Sequence, residues 1–338
     1  MAISKPSYCG PSSWNVRGRG SISCIPRVRQ FLRLQSQEQL ELVARWRKQL
    51  AAAVAGFCRE RIPQTLTLEQ VRALKTDLPH IRLVAEQLAE ELEDENLLWP
   101  TSGLAWVAEH QAAFAEALKW WQLALEQSEH RLGPNHPSTA AALNNLAQLL
   151  QATNRLAEAE PLKRRALAID EASYGNDHPD VARDLNNLAQ LLQATNRLAE
   201  AEPLMRRALA SDEASYCNDH PNVAIYLNNL AQLLQATKRL EEAEPLMRGA
   251  LAIDEARYGN DHPKVAIRLN NLAQLLQATN RLEEAEPLMA RGFAVLKSLG
   301  FDHPKTQSMR GNYIALLQAM GLAEPEIQAK LQALQPPT

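Results

Sequence analysis

Amide side chains recur along the chain at spacings suited to binding a polypeptide. Within each copy, three amides separated by 4 and 3 residues share one face of a predicted helix, apart from its leucines. An amide both donates and accepts hydrogen bonds, so a row of amides can hold an extended peptide backbone without demanding a charge. The trios are Asn144, Gln148 and Gln151; Asn186, Gln190 and Gln193; Asn228, Gln232 and Gln235; and Asn270, Gln274 and Gln277. The alternative is that these amides only keep the surface soluble and were copied by recent duplication.

Side chains that differ between copies would supply selectivity. The position three residues before each trio holds Ala141, Arg183, Ile225 and Ile267, and the next position holds Ala142, Asp184, Tyr226 and Arg268. Arg183 could meet an acidic group of a ligand, and the two isoleucines an apolar group. We therefore predict that Arg183, Ile225 and Ile267 take part in peptide binding.

Histidine also recurs, and its role could be metal binding or turn formation. The five copies are His136, His178, His220, His262 and His303. Ligands of one metal ion lie about 2.0–2.1 Å from it, whereas equivalent atoms of stacked helices are about 8–10 Å apart. We therefore predict turn residues, with no metal and no cofactor.

Motifs for catalysis are missing from the sequence. A Glu-x-Glu pair recurs in LAEAEPL and LEEAEPL, but acidic residues near a helix N-terminus explain it. The sequence has no G-x-S-x-G, H-E-x-x-H or Gly-rich phosphate loop. We predict that the protein is not an enzyme.

The elements that position these groups repeat with a fixed period. The segment LNNLAQLLQAT begins at Leu143, Leu185, Leu227 and Leu269, so the period is 42 residues. Such a period predicts a solenoid whose terminal copies diverge. The predicted units are 102–143, 144–185, 186–227, 228–269 and 270–311, followed by a terminal half-unit at 312–323.

Each unit contains two predicted helices. The first follows Asp177-His178-Pro179, where Asp or His can cap the helix, and Thr195-Asn196-Arg197 forms the turn to the second. The second stops at a left-handed glycine, Gly175 or Gly259, whereas one copy has Cys217 there, which predicts local strain. The buried stripe of the first helix is Val181, Leu185, Leu188, Leu191 and Leu192, and close helix contacts fall at Ala147, Ala159, Ala166 and their copies.

These motifs resemble the tetratricopeptide repeat, specifically its 42-residue kinesin-light-chain type. LNNLA, EAEPL, RALAI and G-x-DHP carry the resemblance, which covers about two thirds of the chain. It implies an all-α, right-handed superhelical solenoid of antiparallel helix pairs with a concave peptide-binding groove. In that fold the amide trios are groove-facing. The resemblance implies a protein or peptide partner and says nothing about microtubules.

The segment before the repeats divides into a tail and a helical adaptor. Residues 1–27 lack acidic residues and predict a disordered tail, with a transit peptide or a misplaced start as alternatives. Residues 28–101 predict an adaptor with helices through Val28, Phe31 and Leu32 up to Pro63, from a capping box at Thr67, and over about 80–95. Trp106, Trp120 and Trp121 would seal its junction with the repeats, and 324–338 would form a C-terminal capping helix and tail.

Adaptor and composition together suggest two functions. IPQTLTLEQVRALKTDLPHIRLVAEQLAEELEDENLLWP resembles the segment before such repeats in bacterial signal-transduction ATPases, but no P-loop motif occurs here. The first hypothesis is a non-enzymatic interaction scaffold, and the second is the regulatory half of a system whose ATPase is a separate partner. A net charge of −3 disfavours nucleic acid. Without an apolar run near 18 residues, we predict no membrane span and a cytoplasmic protein.

Overall fold

The computed structural model describes residues 40–215, 219–297 and 304–334. These ranges contain fifteen α-helices, three 3-10 turns and no strand, so the predicted all-α class is confirmed. The chain divides into two compact units, one ending at Arg155 and the other beginning at Leu156. The predicted tail 1–27, the helical residues Val28, Phe31 and Leu32, the cysteine at 217 and His303 lie outside the described residues.

The described part of unit one, residues 40–155, carries six helices. They are α1 (Leu40–Arg61), α2 (Leu68–Ala73), α3 (Leu78–Gln87), α4 (Trp99–His110), α5 (Phe114–Arg131) and α6 (Pro137–Ala152). The 3-10 turns are Leu74–Thr76, Ala89–Glu91 and Asp94–Asn96. The predicted capping box is present, because Thr67 Oγ1 accepts from the Gln70 amide and the Gln70 side chain accepts from the Thr67 amide.

Unit two carries nine helices, and consecutive helices pack against one another. They are α7 (Leu156–Tyr174), α8 (Pro179–Ala194), α9 (Leu198–Ser215), α10 (Pro221–Ala236), α11 (Leu240–Tyr258), α12 (Pro263–Ala278), α13 (Leu282–Lys297), α14 (Pro304–Ala319) and α15 (Glu324–Ala333). The even-numbered helices α6–α12 are the predicted first helices of their pairs, and α7–α13 are the second helices.

Each first helix described from its cap begins at a histidine and a proline. In α6, α8, α10 and α12 the cap histidine accepts a hydrogen bond through Nδ1 from the backbone amide two residues on, at 3.1–3.3 Å. Proline occupies the first helical turn, where a missing amide is tolerated. The predicted capping role of these histidines is therefore confirmed, and it is histidine, not the preceding aspartate, that caps.

Residues with positive φ close the turns. Asn154, Asn196 and Asn280 have φ of 58–60° between the two helices of a pair, and Lys238 adopts 61° in the remaining copy. Gly175 and Gly259 have φ of 83° and 82° after the second helix, as predicted. Gly259 has ψ of 163°, so it lies in a region that only glycine enters freely, outside the left-handed helical region.

Leucine stripes and alanine contacts build the core of unit two. All five residues of the predicted α8 stripe are buried, and so are Ala201, Ala208, Ala243 and Ala250 on the second helices. Small side chains let neighbouring helices approach closely, while leucines fill the space between them. An aromatic content of only 5% is therefore sufficient for a continuous core.

The predicted helix over 80–95 is wrong beyond residue 87. Helix α3 ends at Gln87, and Ala89–Glu91 and Asp94–Asn96 form 3-10 turns instead. Five of the six residues 90–95 are acidic, and negative charge is unfavourable at the C-terminal end of an α-helix. Arg131 of α5 holds the segment through the carbonyls of Ala89 and Leu92 and the carboxylate of Asp94.

Tryptophans pack where α3, α4 and α5 meet. Trp120 and Trp121 of α5 are buried, and the guanidinium of Arg82 on α3 lies 5.6 Å from the ring centre of Trp120. Trp121 contacts Trp106 edge to face at 6.0 Å and donates to Glu109 Oε1 at 2.6 Å. These contacts join α3 and α4 to α5.

An arginine–glutamate chain runs along the second helices of unit two. An arginine directly before each of three second helices binds a glutamate of that helix and another 37 residues before the arginine, at 2.6–2.8 Å; these are Arg197, Arg239 and Arg281. In the last copy, Lys330 of α15 binds Glu286 at 2.7 Å in place of an arginine. Helix α15 thereby ends the chain of ion pairs.

Candidate peptide-binding face

The fifteen predicted site residues divide between the two units. Asn144, Gln148 and Gln151 lie on α6 in unit one, and the other twelve lie on α8, α10 and α12 in unit two. We define the amide face as the surface of α8, α10 and α12 that carries Gln190, Gln193, Gln232, Gln235, Gln274 and Gln277.

Asparagines of the trios form hydrogen bonds between repeats. Asn186 and Asn228 are each 5% exposed. Asn229 Nδ2 donates to Asn186 Oδ1, and Asn271 Nδ2 donates to Asn228 Oδ1, both at 2.9 Å. Asn312 of α14 continues the series onto Asn270 at 2.9 Å.

This asparagine ladder gives Asn186, Asn228 and Asn270, the first members of three trios, a structural role. A buried amide oxygen that already accepts from the next repeat is not free to accept from a peptide. The Asn-Asn doublet in every LNNLA motif could have indicated this ladder. The first asparagine of a doublet accepts a hydrogen bond from the next repeat, and the second donates one to the preceding repeat.

The glutamines are more accessible. Gln148 and Gln232 are exposed, whereas Gln151, Gln190, Gln193, Gln235, Gln274 and Gln277 are half-buried. In the part of the chain that the structure describes, no protein group forms a hydrogen bond with these side chains. Their donors and acceptors therefore remain available to a ligand.

Arg183 is surrounded by carboxylates of its own unit. Its guanidinium lies 2.6 Å from Asp180, 3.6 Å from Asp184 and 3.9 Å from Asp170, and its side chain is 50% exposed. Any acidic group of a ligand would compete with these three carboxylates. Sequence reasoning named Arg183 alone and missed the groups around it.

Ile225 and Ile267 occupy the equivalent position on the next two first helices. Ile225 is a large apolar residue with 37% exposure, and Ile267 is half-buried. Because one period separates them, both side chains lie at the same place on successive helices. They provide apolar contact area beside the glutamines.

The position directly after Arg183, Ile225 and Ile267 faces a buried aspartate that recurs on the preceding second helix. Asp170 on α7 is matched by Asp212 on α9 and Asp254 on α11, and each is buried. Asp170 pairs with Asp184, whereas Asp254 forms a 2.8 Å ion pair with Arg268. We predicted selectivity roles for Asp184, Tyr226 and Arg268. These side chains are instead buried or nearly buried at repeat junctions.

Burial shifts the pKa values of Asp170 and Lys163 at the α7–α8 junction. Burial raises the pKa of Asp170, while the hydrogen bond with Asp184 and the charge of Arg183 oppose the rise. Burial lowers the pKa of Lys163 to about 8, opposed by Asp184. Methionine occupies the position of Lys163 in the next three copies, at Met205, Met247 and Met289, so this ionic cluster is specific to the α7–α8 junction.

We expect Asp170→Asn to gain stability relative to the wild type as pH rises from 4 to 7. The raised pKa means that the protonated form of Asp170 favours folding, and this contribution is lost as pH rises through that pKa. The amide cannot ionise, and Lys163 stays protonated below pH 7, so its contribution is constant over the scan. Urea denaturation at each pH measures the difference; parallel pH profiles for the two proteins would contradict the expectation.

The described residues contain no cluster of three or more His, Cys, Asp or Glu side chains arranged to hold a metal ion. The four cap histidines use Nδ1 to accept from backbone amides, so that nitrogen is occupied. Across the described helices, none is both long and apolar enough to cross a membrane.

The sequence profile of the tetratricopeptide repeat matches residues 95–172, 155–214 and 219–298, which together exceed half of the chain. The chain belongs to the tetratricopeptide repeat family. Proteins of this family bind protein or peptide partners and are generally non-enzymatic scaffolds. No curated protein sequence matches the chain.

Solved tetratricopeptide repeat structures of kinesin-light-chain type are similar in fold. A protein from Podosopora anserina with nearly identical repeats of this type is 23% identical, covers 62% of this chain and 98% of its own, and has a TM-score of 0.54. BtubC from P. vanneervenii is 22% identical over 71% of this chain and 95% of its own, with a TM-score of 0.59. The apo quorum sensor NprR from B. thuringiensis is 12% identical over 91% of this chain and 78% of its own, also at 0.59. At these identities the likeness establishes the fold alone.

Proposed function

We propose that this tetratricopeptide repeat protein is a protein–protein interaction scaffold that binds an extended partner peptide on its amide face. The family supports the scaffold role. The single observation that carries the finer proposal is the row of glutamines on α8, α10 and α12 with no protein partner in the described residues.

The chemistry of the face suits a peptide backbone. Each glutamine offers two N–H donors and a carbonyl acceptor, which match the C=O and N–H groups of an extended chain. The asparagine ladder fixes neighbouring first helices relative to one another, so the glutamine rows are held before a ligand arrives. Pre-organisation of this kind lowers the entropic cost of binding.

Ile225 and Ile267 would contribute selectivity. Both lie at the same position on neighbouring first helices, so a peptide crossing α10 and α12 would meet them one repeat apart. An apolar side chain of the partner would be favoured at each. Arg183 would favour an acidic side chain only weakly, because three carboxylates already surround it.

We expect the triple substitution Gln190→Ala, Gln232→Ala and Gln274→Ala to weaken partner binding by about tenfold to a thousandfold. Loss of three hydrogen bonds, each contributing about 0.5–1.5 kcal/mol, gives this range. Affinity capture with mass spectrometry identifies the partner, and isothermal titration with a peptide of that partner measures binding.

The matched control is Glu241→Ala with Glu283→Ala, two exposed residues that begin the second helices α11 and α13. It should bind as the wild type does. Unchanged affinity in the glutamine variant, with its circular dichroism intact, would refute the amide face as the binding surface. The regulatory half of a separate ATPase stays a sequence-based prediction, since no described feature bears on it.

A further inference from the structure

Unit two offers three repeat junctions that can be compared position by position. A second helix meets the following first helix at α7–α8, at α9–α10 and at α11–α12. Because the repeats share one period, a residue at one junction has an equivalent 42 positions away at the next. In a solenoid each repeat contacts only its neighbours, so a weak junction is not compensated from afar.

The first difference is a buried hydroxyl. Ser211 of α9 is buried, and its Oγ has no hydrogen-bond partner among the described residues. The equivalent residues are Ile169 on α7, which is buried, and Ile253 on α11. A buried polar group without a partner destabilises the folded state, whereas isoleucine at the same place adds apolar contact.

The second difference is a buried carboxylate. Asp212 of α9 is 0% exposed, and no described residue forms a hydrogen bond of normal geometry with either of its carboxylate oxygens. Burial raises its pKa, with His220 and the amide of Asn222 opposing the rise. At α11–α12 the equivalent Asp254 is paired with Arg268, but at α9–α10 that position is Tyr226.

The third difference is a missing arginine brace. Arg207 on α9 binds Glu171 of α7 at 2.7 Å and Asn176 Oδ1, in the turn between α7 and α8, at 2.9 Å. Arg291 on α13 binds Glu255 of α11 at 2.7 Å and the Asn260 carbonyl, in the turn between α11 and α12, at 3.2 Å. Each arginine therefore ties the following second helix to the turn that forms a junction. The equivalent residue on α11 is Gly249, which supplies no brace to α9–α10 and weakens its own helix.

We propose that the α9–α10 junction is a hinge built into unit two, at which the stack of helices opens first. All three differences weaken this junction relative to α11–α12, and two of them, at Ser211 and Gly249, also weaken it relative to α7–α8. Fraying from the ends of the stack does not predict this pattern, because α9–α10 lies inside the stack. Opening here would break the Asn229–Asn186 hydrogen bond between α10 and α8 and change the spacing between their glutamines, whether or not a peptide binds them.

Native-state hydrogen exchange of the full chain tests the hinge. In the wild type, amides in the last turns of α9 and the first turns of α10 should be at least about tenfold less protected than their equivalents in α11 and α12, since one unsatisfied buried group already costs that much. The repaired variant, Ser211→Ile with Tyr226→Arg and Gly249→Arg, should abolish that difference. A Cβ at Gly249 would meet only Leu227 at 3.5 Å, an ordinary contact, so the arginine has room.

The matched variant transfers the weakness to the next junction. Ile253→Ser with Arg268→Tyr and Arg291→Gly should move the least protected amides to α11–α12. Should this variant fail to fold, Ser211→Ile alone must still raise protection at α9–α10. Equal protection at the two junctions in the wild type, or no gain in the repaired variant, would overturn the hinge.

Discussion

Arg268→Ala should lower the free energy of unfolding by about 3–5 kcal/mol. Asp254 and Arg268 have side chains only 2% and 11% exposed, and they lie 2.8 Å apart between α11 and α12. Removing the arginine leaves a buried carboxylate without its partner, and that penalty exceeds the value of the ion pair itself. Urea denaturation followed by circular dichroism measures the loss.

The control variant copies another junction of this protein, where apolar residues stand in place of the ion pair. At the α13–α14 junction, Leu296 and Met309 replace the ion pair, and both are buried. Asp254→Leu combined with Arg268→Met should therefore be close to the wild type or more stable, since a buried ion pair contributes little net stability compared with well-packed apolar residues. An Arg268→Ala variant within about 1 kcal/mol of the wild type would show that the pair is solvated, because exposed pairs contribute this little.

The second large effect concerns Trp120→Ala, which should cost about 3–5 kcal/mol in unit one. Trp120 is 1% exposed on α5, and Arg82 of α3 and Lys119 both contact its ring face. Truncation leaves a cavity between α3 and α5. Hydrogen exchange of α3 and α5 should report the loss directly, because these are the helices in contact.

Phe114→Ala provides the comparison on the same helix. Phe114 begins α5 and is 43% exposed, so its truncation removes little buried surface and should cost less than about 1 kcal/mol. If Trp120→Ala loosened α5 but left the protection of α3 unchanged, the tryptophan would not hold α3 against α5.

The repeat made most of the fold predictable. Four copies of LNNLAQLLQAT placed the first helices, their leucine stripes and the glycines after the second helices. Local rules located the histidine caps and the capping box at Thr67, because each depends on neighbours within three residues. The same rules extended α3 too far. The prediction followed the apolar spacing that continues to Leu92 and did not consider the acidic residues that end the helix.

The candidate face was less predictable because its residues depend on partners one repeat away. Helical spacing grouped Asn186 with Gln190 and Gln193, but only the structure shows that Asn186 accepts from Asn229. Arg183 looked like a free cation, yet one of its three carboxylates, Asp170, lies on the preceding helix. The identity of each buried pair depends on two positions 14 residues apart, as with Asp254 and Arg268.

Site-directed photo-crosslinking tests the central claim most directly. A benzoylphenylalanine placed at Gln232, which is exposed on the amide face, should crosslink to the captured partner under ultraviolet light, and a peptide of that partner should suppress the product. The same probe at Glu241, which is exposed at the start of α11, should give little product. Crosslinking from Glu241 and none from Gln232 would place the partner on the second helices and contradict the account.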